Sequence, residues 1–435
     1  MSSFPRCARA LALWLSWFSL GAGGCYLSHE RSEVLPDCEG VEVWRYEDRG
    51  AVFRNAIAVG SRRHVFGVVA GDGHGLWTFG TDGGVQREGP IGESRSGAFL
   101  TVDGGFLVAG QRGRTWRLDR FDESGAALSG VELAIEGEVG VTVLVPAADA
   151  DAVFAVGTVR TPRDLTEVFV VRANSDGIAW SRAYASEPDA EDRPIGAFLD
   201  GEGRLVVLAQ RWRSGGGGPF WIFGLDSDGE VAWERLSDVA FERDSTWAFV
   251  PVDDGVLLVG NPDGEPGARG PARAMRLDRR GTTRWQIELD VDDSANQSIV
   301  NDVIFHDGQF VLVGYSAERT TGMVWGLDTD GSVAFERSPA PSETTGFTAI
   351  ERLGDGYLIA GDRQWSGVTH LLFVRTDTEG RARWMLEPPY EGWAQGPMAL
   401  VGTRDGEGAL AVGMAFPVGD RERARLALEI VERCE

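Results

Sequence analysis

The chain has 435 residues, and its 59 glycines and 18 prolines among 43% hydrophobic residues match neither a disordered nor a fibrous protein. The formal net charge is −24, and all 42 basic residues are arginine. With no lysine, a Schiff-base enzyme and a Walker-type phosphate loop are excluded, and the acidic balance argues against nucleic acid as a partner.

The first predicted element is an export signal. Arg6 and Arg9 precede the apolar run from Ala10 to Leu20, which is followed by Gly21, Ala22, Gly23, Gly24 and Cys25. A charged start, a short apolar stretch and small residues are the parts of a cleavable signal peptide, and the run falls well short of the ~20 apolar residues that span a membrane. Residues 1–24 are read as that signal, and their removal takes the net charge to −26. The stretch Ala22-Gly23-Gly24-Cys25 resembles a bacterial lipobox, with Ala22 where that family usually has leucine. The resemblance implies a lipid on Cys25. Tyr26, standing where the family's inner-membrane signal would be Asp, implies the outer membrane. Ordinary cleavage with Cys25 unmodified and the protein secreted is the alternative. Cleavage removes Cys7 and leaves Cys25, Cys38 and Cys434, so lipidation of Cys25 leaves an even pair of thiols for an oxidising compartment. Residues 25–37 are then a tether, and 38–435 the folded domain.

Beyond the tether one pattern recurs: an apolar strand, a Gly turn, an apolar strand ending in small residues, a variable loop, an apolar-aromatic strand, a D-x-D-G-like turn, and a strand with Trp. The second strand reads VFGVVAG to Gly71, FLVAG to Gly110, VFAVG to Gly157, LVVLA to Ala209, VLLVG to Gly260, FVLVG to Gly314, YLIAG to Gly361 and ALAVG to Gly413. Eight units spaced 39 to 54 residues apart have the period of a four-stranded propeller blade rather than of a helical repeat. Seven third strands run into Gly turns, as in FWIFGLDSDG and MVWGLDTDG, whereas the eighth, RLALEIV at 425–431, runs through Glu432 and Arg433 to Cys434 with no fourth strand after it. The missing strand is at the start of the domain, where Gly40 and Trp44 repeat the spacing of Gly229 and Trp233, Gly281 and Trp285, and Gly380 and Trp384.

The expected fold is therefore all-β: a single eight-bladed β-propeller of four-stranded antiparallel blades, its last blade closed by the N-terminal strand through pairing of residues near 40–46 with residues near 425–431. Such closure removes sheet edges that would template aggregation. It places Cys38 and Cys434 where an ordinary blade has its connecting turn and predicts a Cys38–Cys434 disulfide, the alternative being Cys25 with Cys38. Trp44, Trp233, Trp285 and Trp384, which share one place in the repeat, are expected to pack between blades.

The succession FVLVG, MVWGLDTDG and AFER resembles the repeat of secreted bacterial propellers, and it does so from about residue 38 to the end. The Gly-to-Trp spacing is also similar to that of quinoprotein-type eight-bladed propellers and of the outer-membrane assembly lipoprotein of that fold. These resemblances imply a propeller and export, and no particular chemistry.

Candidate chemistry is sparse. His29, His64, His74, His306 and His370 include no i, i+4 pair for zinc. Asp226-Ser227-Asp228-Gly229-Glu230 and Asp328-Thr329-Asp330-Gly331 have the look of calcium loops, but the sister unit Asp278-Arg279-Arg280-Gly281 puts cations at the ligand positions, so hairpin turns are expected. Gly92-Glu93-Ser94-Arg95-Ser96-Gly97 is not a nucleophile elbow, and no residues carry the quinone site of the resembled family. No catalytic residue, metal or cofactor is assigned.

Variability points to the second-to-third loops as the working face: Arg160 to Thr166, Arg211 to Ser214, Asn261 to Gly270, Tyr315 to Thr321, and Asp362 to Trp365. Trp212, Arg213, Tyr315 and Trp365 are the candidate ligand-face residues, because exposed aromatics and arginines are typical of recognition; packing over neighbouring loops is the alternative. The expected function is that of a monomeric, lipid-anchored binding scaffold for a protein or glycan of the cell envelope. The alternative is a propeller enzyme acting on a carbohydrate or small alcohol, which would cluster carboxylates at the mouth of the central channel.

Overall fold

The computed structural model describes residues 38–434 except for 49–50, 60–61, 70–72, 81–82, 93–97, 113, 150, 214–215, 241–246, 261–270, 290–297, 317–320, 341–343, 366–367, 389–391, 403–407 and 418–423; in some strands the backbone alone is described. Among the described residues there are only strands and turns, and the strands form eight four-stranded antiparallel sheets. In chain order the blades cover 51–92, 98–134, 139–184, 191–240, 247–289, 298–337 and 344–386, and blade 8 joins 392–434 to the N-terminal strand Cys38–Asp48.

The first strands of successive blades touch one another around a closed ring, blade 8 meeting blade 1, so they line the central channel. Fourth strands lie outermost, and Ala127–Ala134 is largely exposed. Between them the second and third strands are buried on both faces, as in Gly255–Gly260, where every residue is buried. Burial on both faces explains why these strands read as continuous apolar runs rather than as an alternation. The hydrophobic core is divided into eight clusters, each between two successive blades, including one that joins Ala56, Val65 and Trp77 of blade 1 to Leu410, Val412 and Ala427 of blade 8.

The glycine that ends each repeat motif has a steric cause. In blades 1, 3, 6 and 7 it sits opposite a β-bulge in the first strand, and there the backbones approach so closely that a Cβ on Gly157 would lie 1.8 Å from the Gly140 carbonyl oxygen, and one on Gly314 1.7 Å from that of Ile299. This geometry corrects the alignment of blade 1. Phe53 pairs with Gly67 at its bulge as Val300 pairs with Gly314, so Gly67 is the repeat glycine of this strand, and Gly71 falls outside the described residues. The run Val-Val-Ala-Gly imitates the motif four residues late.

Closure follows the expected register. Cys38–Asp48 runs antiparallel to Ala424–Cys434, pairing Gly40 with Glu432 and Tyr46 with Ala427, with a bulge between Glu42 and Trp44. Cys38 and Cys434 are direct backbone partners, but their side chains lie outside the described residues, as does the whole of residues 1–37 with the proposed signal and Cys25. The composite blade also docks like the others. Trp180 and Trp285 donate from Nε1 to the carbonyls of Ser227 and Thr329 in the next blade at 2.9 and 2.8 Å, and their rings lie over Gly229 and Gly331. Those glycines have φ of +79° and +90°, as a left-handed turn requires. Trp384 of blade 7 covers Gly40 and donates to Glu432 Oε1 at 2.9 Å, thereby gripping both ends of the chain. Trp233 joins the cluster between blades 4 and 5 while its indole covers Gly224 of its own blade; the Trp44 side chain lies outside the described residues.

Candidate functional site

The two ends of the propeller differ. At one end, the turn end, the third-to-fourth turns of blades 2, 4, 5 and 7 share a design in which the first Asp accepts two backbone N–H groups: Asp122 Oδ1 those of Ser124 and Ala126 at 2.8 and 3.0 Å, Asp226 Oδ1 those of Asp228 and Glu230 at 2.9 Å each, Asp278 Oδ1 those of Arg280 and Thr282 at 2.8 Å, and Asp377 Oδ1 those of Glu379 and Arg381 at 3.0 and 2.8 Å, while Asn174 takes the place in blade 3 and Asp330 accepts from Ser332 in blade 6. These are Asx-stabilised hairpins, which explains why the turn tolerates Arg279 and Arg280 between Asp278 and Gly281. The turn carboxylates hold backbone.

At the other end, the hairpin end, the expectation of long irregular loops needs correction in blades 4 and 7, while residues 161–165 of blade 3 do lie between strands and Asn261 to Gly270 falls outside the described residues. Strands continue past the repeat glycine, so the second and third strands of blade 4, Leu205–Arg213 and Gly216–Leu225, are separated by two residues, as are Gly356–Trp365 and Val368–Asp377 in blade 7. The ladder persists to the strand tips, pairing Arg213 with Gly216 and Trp365 with Val368. Trp212, Arg213, Tyr315 and Trp365 therefore stand on strand ends, not in loops. A candidate on a paired strand is held more rigidly than one on a loop.

The four are spread over three blades: Trp212 and Arg213 belong to blade 4, Tyr315 to blade 6 and Trp365 to blade 7. The side chains of Arg213 and Trp365 lie outside the described residues. Trp212 is half-buried, with the Arg193 guanidinium 4.4 Å from its ring centroid, a cation–π contact, and Arg193 pairs with Glu191 at 3.2 Å. Beneath them Asp192 accepts from the backbone N–H and hydroxyl of Ser186 at 2.7 and 2.8 Å, and burial pushes its carboxyl above the usual range. Buried Arg211 pairs with Glu187. The blade 4 rim is thus an ordered aromatic and arginine patch.

The residue after the repeat glycine varies from blade to blade. In blade 2 it is Gln111, whose amide clasps blade 3 by donating to Gly137 O at 2.9 Å and accepting from Val139 N at 2.6 Å. In blade 3 it is Thr158, in blade 4, where Ala209 stands for the glycine, it is Gln210, and in blades 6 and 7 it is Tyr315 and Asp362. Tyr315 and Asp362 meet at Gly346, since a Cβ there would lie 3.4 Å from Asp362 Oδ1 and 3.8 Å from Tyr315 Cδ1.

The channel strands do carry carboxylates: besides Glu191 and Asp192 of blade 4 there are Asp302 and Glu351, and these two are engaged with backbone. Asp302 accepts from Val303 N at 2.8 Å and, across to blade 7, from Ile350 N at 3.0 Å, while Asn301 Nδ2 donates to Phe347 O at 2.6 Å. Glu351 of blade 7 accepts from the amides of Arg352 and of Gly402 in blade 8. Burial raises both carboxyls, that of Asp302 to about 6 with a smaller contribution from the negative charge of Glu351. These groups strap blades 6, 7 and 8 together. His64 has a similar place between blades 1 and 2: its Nδ1 lies 3.0 Å from Thr78 Oγ1, its ring 4.4 Å from that of Phe106, and burial lowers it to about 4. Sequence reasoning passed over these straps, although Asn301-Asp302 interrupting SIVNDVIFH is a visible polar break in an apolar strand.

No protein-family model and no curated protein matches the chain. A solved structure of the dihydro-heme d1 dehydrogenase NirN in complex with DHE is similar over 89% of this chain and 75% of that one, at 14% identity and a TM-score of 0.50. A structure from a study of two prolyl endopeptidases is similar over 86% of this chain and 54% of that one, at 12% identity and a TM-score of 0.48, so the chain spans about half the length of that protein. At such identity the likeness concerns the fold alone.

Proposed function

We propose that the protein is an exported propeller, anchored by a lipid on Cys25, that serves as a binding scaffold in a bacterial cell envelope, and that its hairpin end is the binding face. The observation that carries this reading is the contrast between the ends. At the turn end four blades repeat one self-satisfied Asp turn, whereas the hairpin end presents residues that differ from blade to blade on rigid strand ends, among them Trp212 with Arg193, Tyr315 and Asp362. Of the channel-strand carboxylates, Asp302 and Glu351 are occupied in strapping blades, Asp192 is held by Ser186 and Glu191 pairs with Arg193, which gives the enzyme reading no support. The signal-like residues 1–24 and the parity left by lipidating Cys25 support export and anchoring.

The same reading includes a Cys38–Cys434 disulfide. Direct antiparallel partners have Cα atoms about 4.5–5.5 Å apart, inside the span a disulfide bridges.

Pull-down from the native envelope tests the scaffold. A partner captured by the folded protein and lost on Trp212→Ala supports it; no partner from membrane, wall or periplasmic fractions refutes it. Incorporation of labelled palmitate, lost on Cys25→Ala, tests the anchor, and an unlabelled protein refutes it.

A further inference from the structure

Gly346 opens a notch at the channel edge of blade 7. It lies on the innermost strand, Thr344–Leu353, directly opposite Asp362 of the second strand, and the Tyr315 ring comes from blade 6 to the same point. A side chain at 346 would contact both. Glycine leaves the carboxylate and the aromatic ring flanking an unfilled position.

Asp362 differs from the other inward carboxyls. Asp192 is held by Ser186, Asp302 by Val303 and Ile350, and Glu351 by Arg352 and Gly402. Among the described residues, the one hydrogen bond to Asp362 comes from its own backbone amide, and none supplies a cation near enough to act on it. Burial accordingly pushes its carboxyl up. Its neighbour Arg363 pairs with Glu387. A partly desolvated carboxylate without an external donor is unfavourable unless a donor or charge arrives from outside. An aromatic ring beside a carboxylate suits a cationic nitrogen, which gains from both the charge and the ring quadrupole. The −24 net charge of the chain attracts such a group over longer range.

We propose that the Gly346 notch, walled by Asp362 and Tyr315, binds an organic cation, either the guanidinium or ammonium of a partner's side chain or a small quaternary ammonium. The site deepens the scaffold reading, because it lies on the face assigned to binding.

Titration calorimetry of the full chain with N-acetyl-arginine amide, N-acetyl-lysine amide and choline tests it. Saturable binding of at least one probe is expected, weakened about tenfold by Asp362→Asn, which removes one charge-assisted contact, and weakened by salt. Gly346→Leu should fill the notch and abolish binding. Gly346→Ala, whose Cβ makes only ordinary contacts at 3.4 and 3.8 Å, keeps the fold and should weaken binding less. Tighter binding of the amino-acid amides assigns the site to a partner's side chain, and tighter binding of choline to a small ammonium. Absence of saturable binding by all three probes, or affinities that Asp362→Asn and Gly346→Leu leave unchanged, overturns the site. If Trp212→Ala abolishes envelope capture while the notch binds nothing, the scaffold stands and the notch falls; capture that neither Trp212→Ala nor Asp362→Asn affects removes the proposed face altogether.

Discussion

Breaking the link between the two ends of the ring is the most direct perturbation of this protein. Among the described residues, blade 8 joins the first strand to the last three, and its outermost strand is joined to the rest of the sheet through the pairing of Cys38–Asp48 with Ala424–Cys434. A disulfide between Cys38 and Cys434 closes a loop of about 400 residues, for which loop-closure entropy gives roughly 6 kcal/mol as an upper limit. We predict that reduction, or Cys434→Ser, lowers stability by roughly 2–6 kcal/mol, read as a fall in the guanidinium midpoint with the transition slope retained. Cys25→Ser should leave the midpoint and its response to reductant unchanged. Non-reducing peptide mapping should recover one peptide joining the two ends of the domain. Stability indifferent to reductant, free thiols at both positions in unreduced protein, or a peptide linking Cys25 to Cys38 would refute the reasoning.

The straps predict opposite responses to pH. Asp302 is raised to about 6 from an ordinary 3.8, so its burial penalty is absent below pH 3.8 and complete above about 6; relative to wild type, Asp302→Asn should gain roughly 3 kcal/mol between pH 3.5 and pH 7 in urea titrations, and a pH-independent difference would exclude the strap. His64, lowered from 6.5 to about 4, contributes stability that is intact above pH 6.5 and lost as pH falls toward 4; His64→Gln should therefore lose less on acidification than wild type by roughly 3 kcal/mol, and equal acid sensitivity would contradict this. Trp384→Ala removes a nearly buried indole that grips Gly40 and Glu432, and should cost about 3–5 kcal/mol; a loss below about 1 kcal/mol would mean the composite blade docks by other contacts.

Period and punctuation were enough to specify the fold class. A blade cannot bury its two apolar faces alone, so the sequence must repeat the same strand pattern in each blade, and eight repeats with one strand missing at the end and one spare at the start admit closure in a single register. Cys38 opposite Cys434 follows from that count. The alignment of blade 1 did not, because Gly67 is defined by a close backbone approach at the Phe53 bulge, which a local motif ending at Gly71 can imitate. Nor did the candidate site. In the sequence Trp212, Arg213, Tyr315 and Trp365 read as loop residues, yet they stand on paired strands in three different blades. The groups the structure brings together, Tyr315 with Gly346 and Asp362, and Asp302 with Ile350, come from neighbouring sheets. Repetition within a sequence reveals what every blade shares; which side chains meet across two blades depends on bulge, twist and packing, and only the tertiary structure decides it.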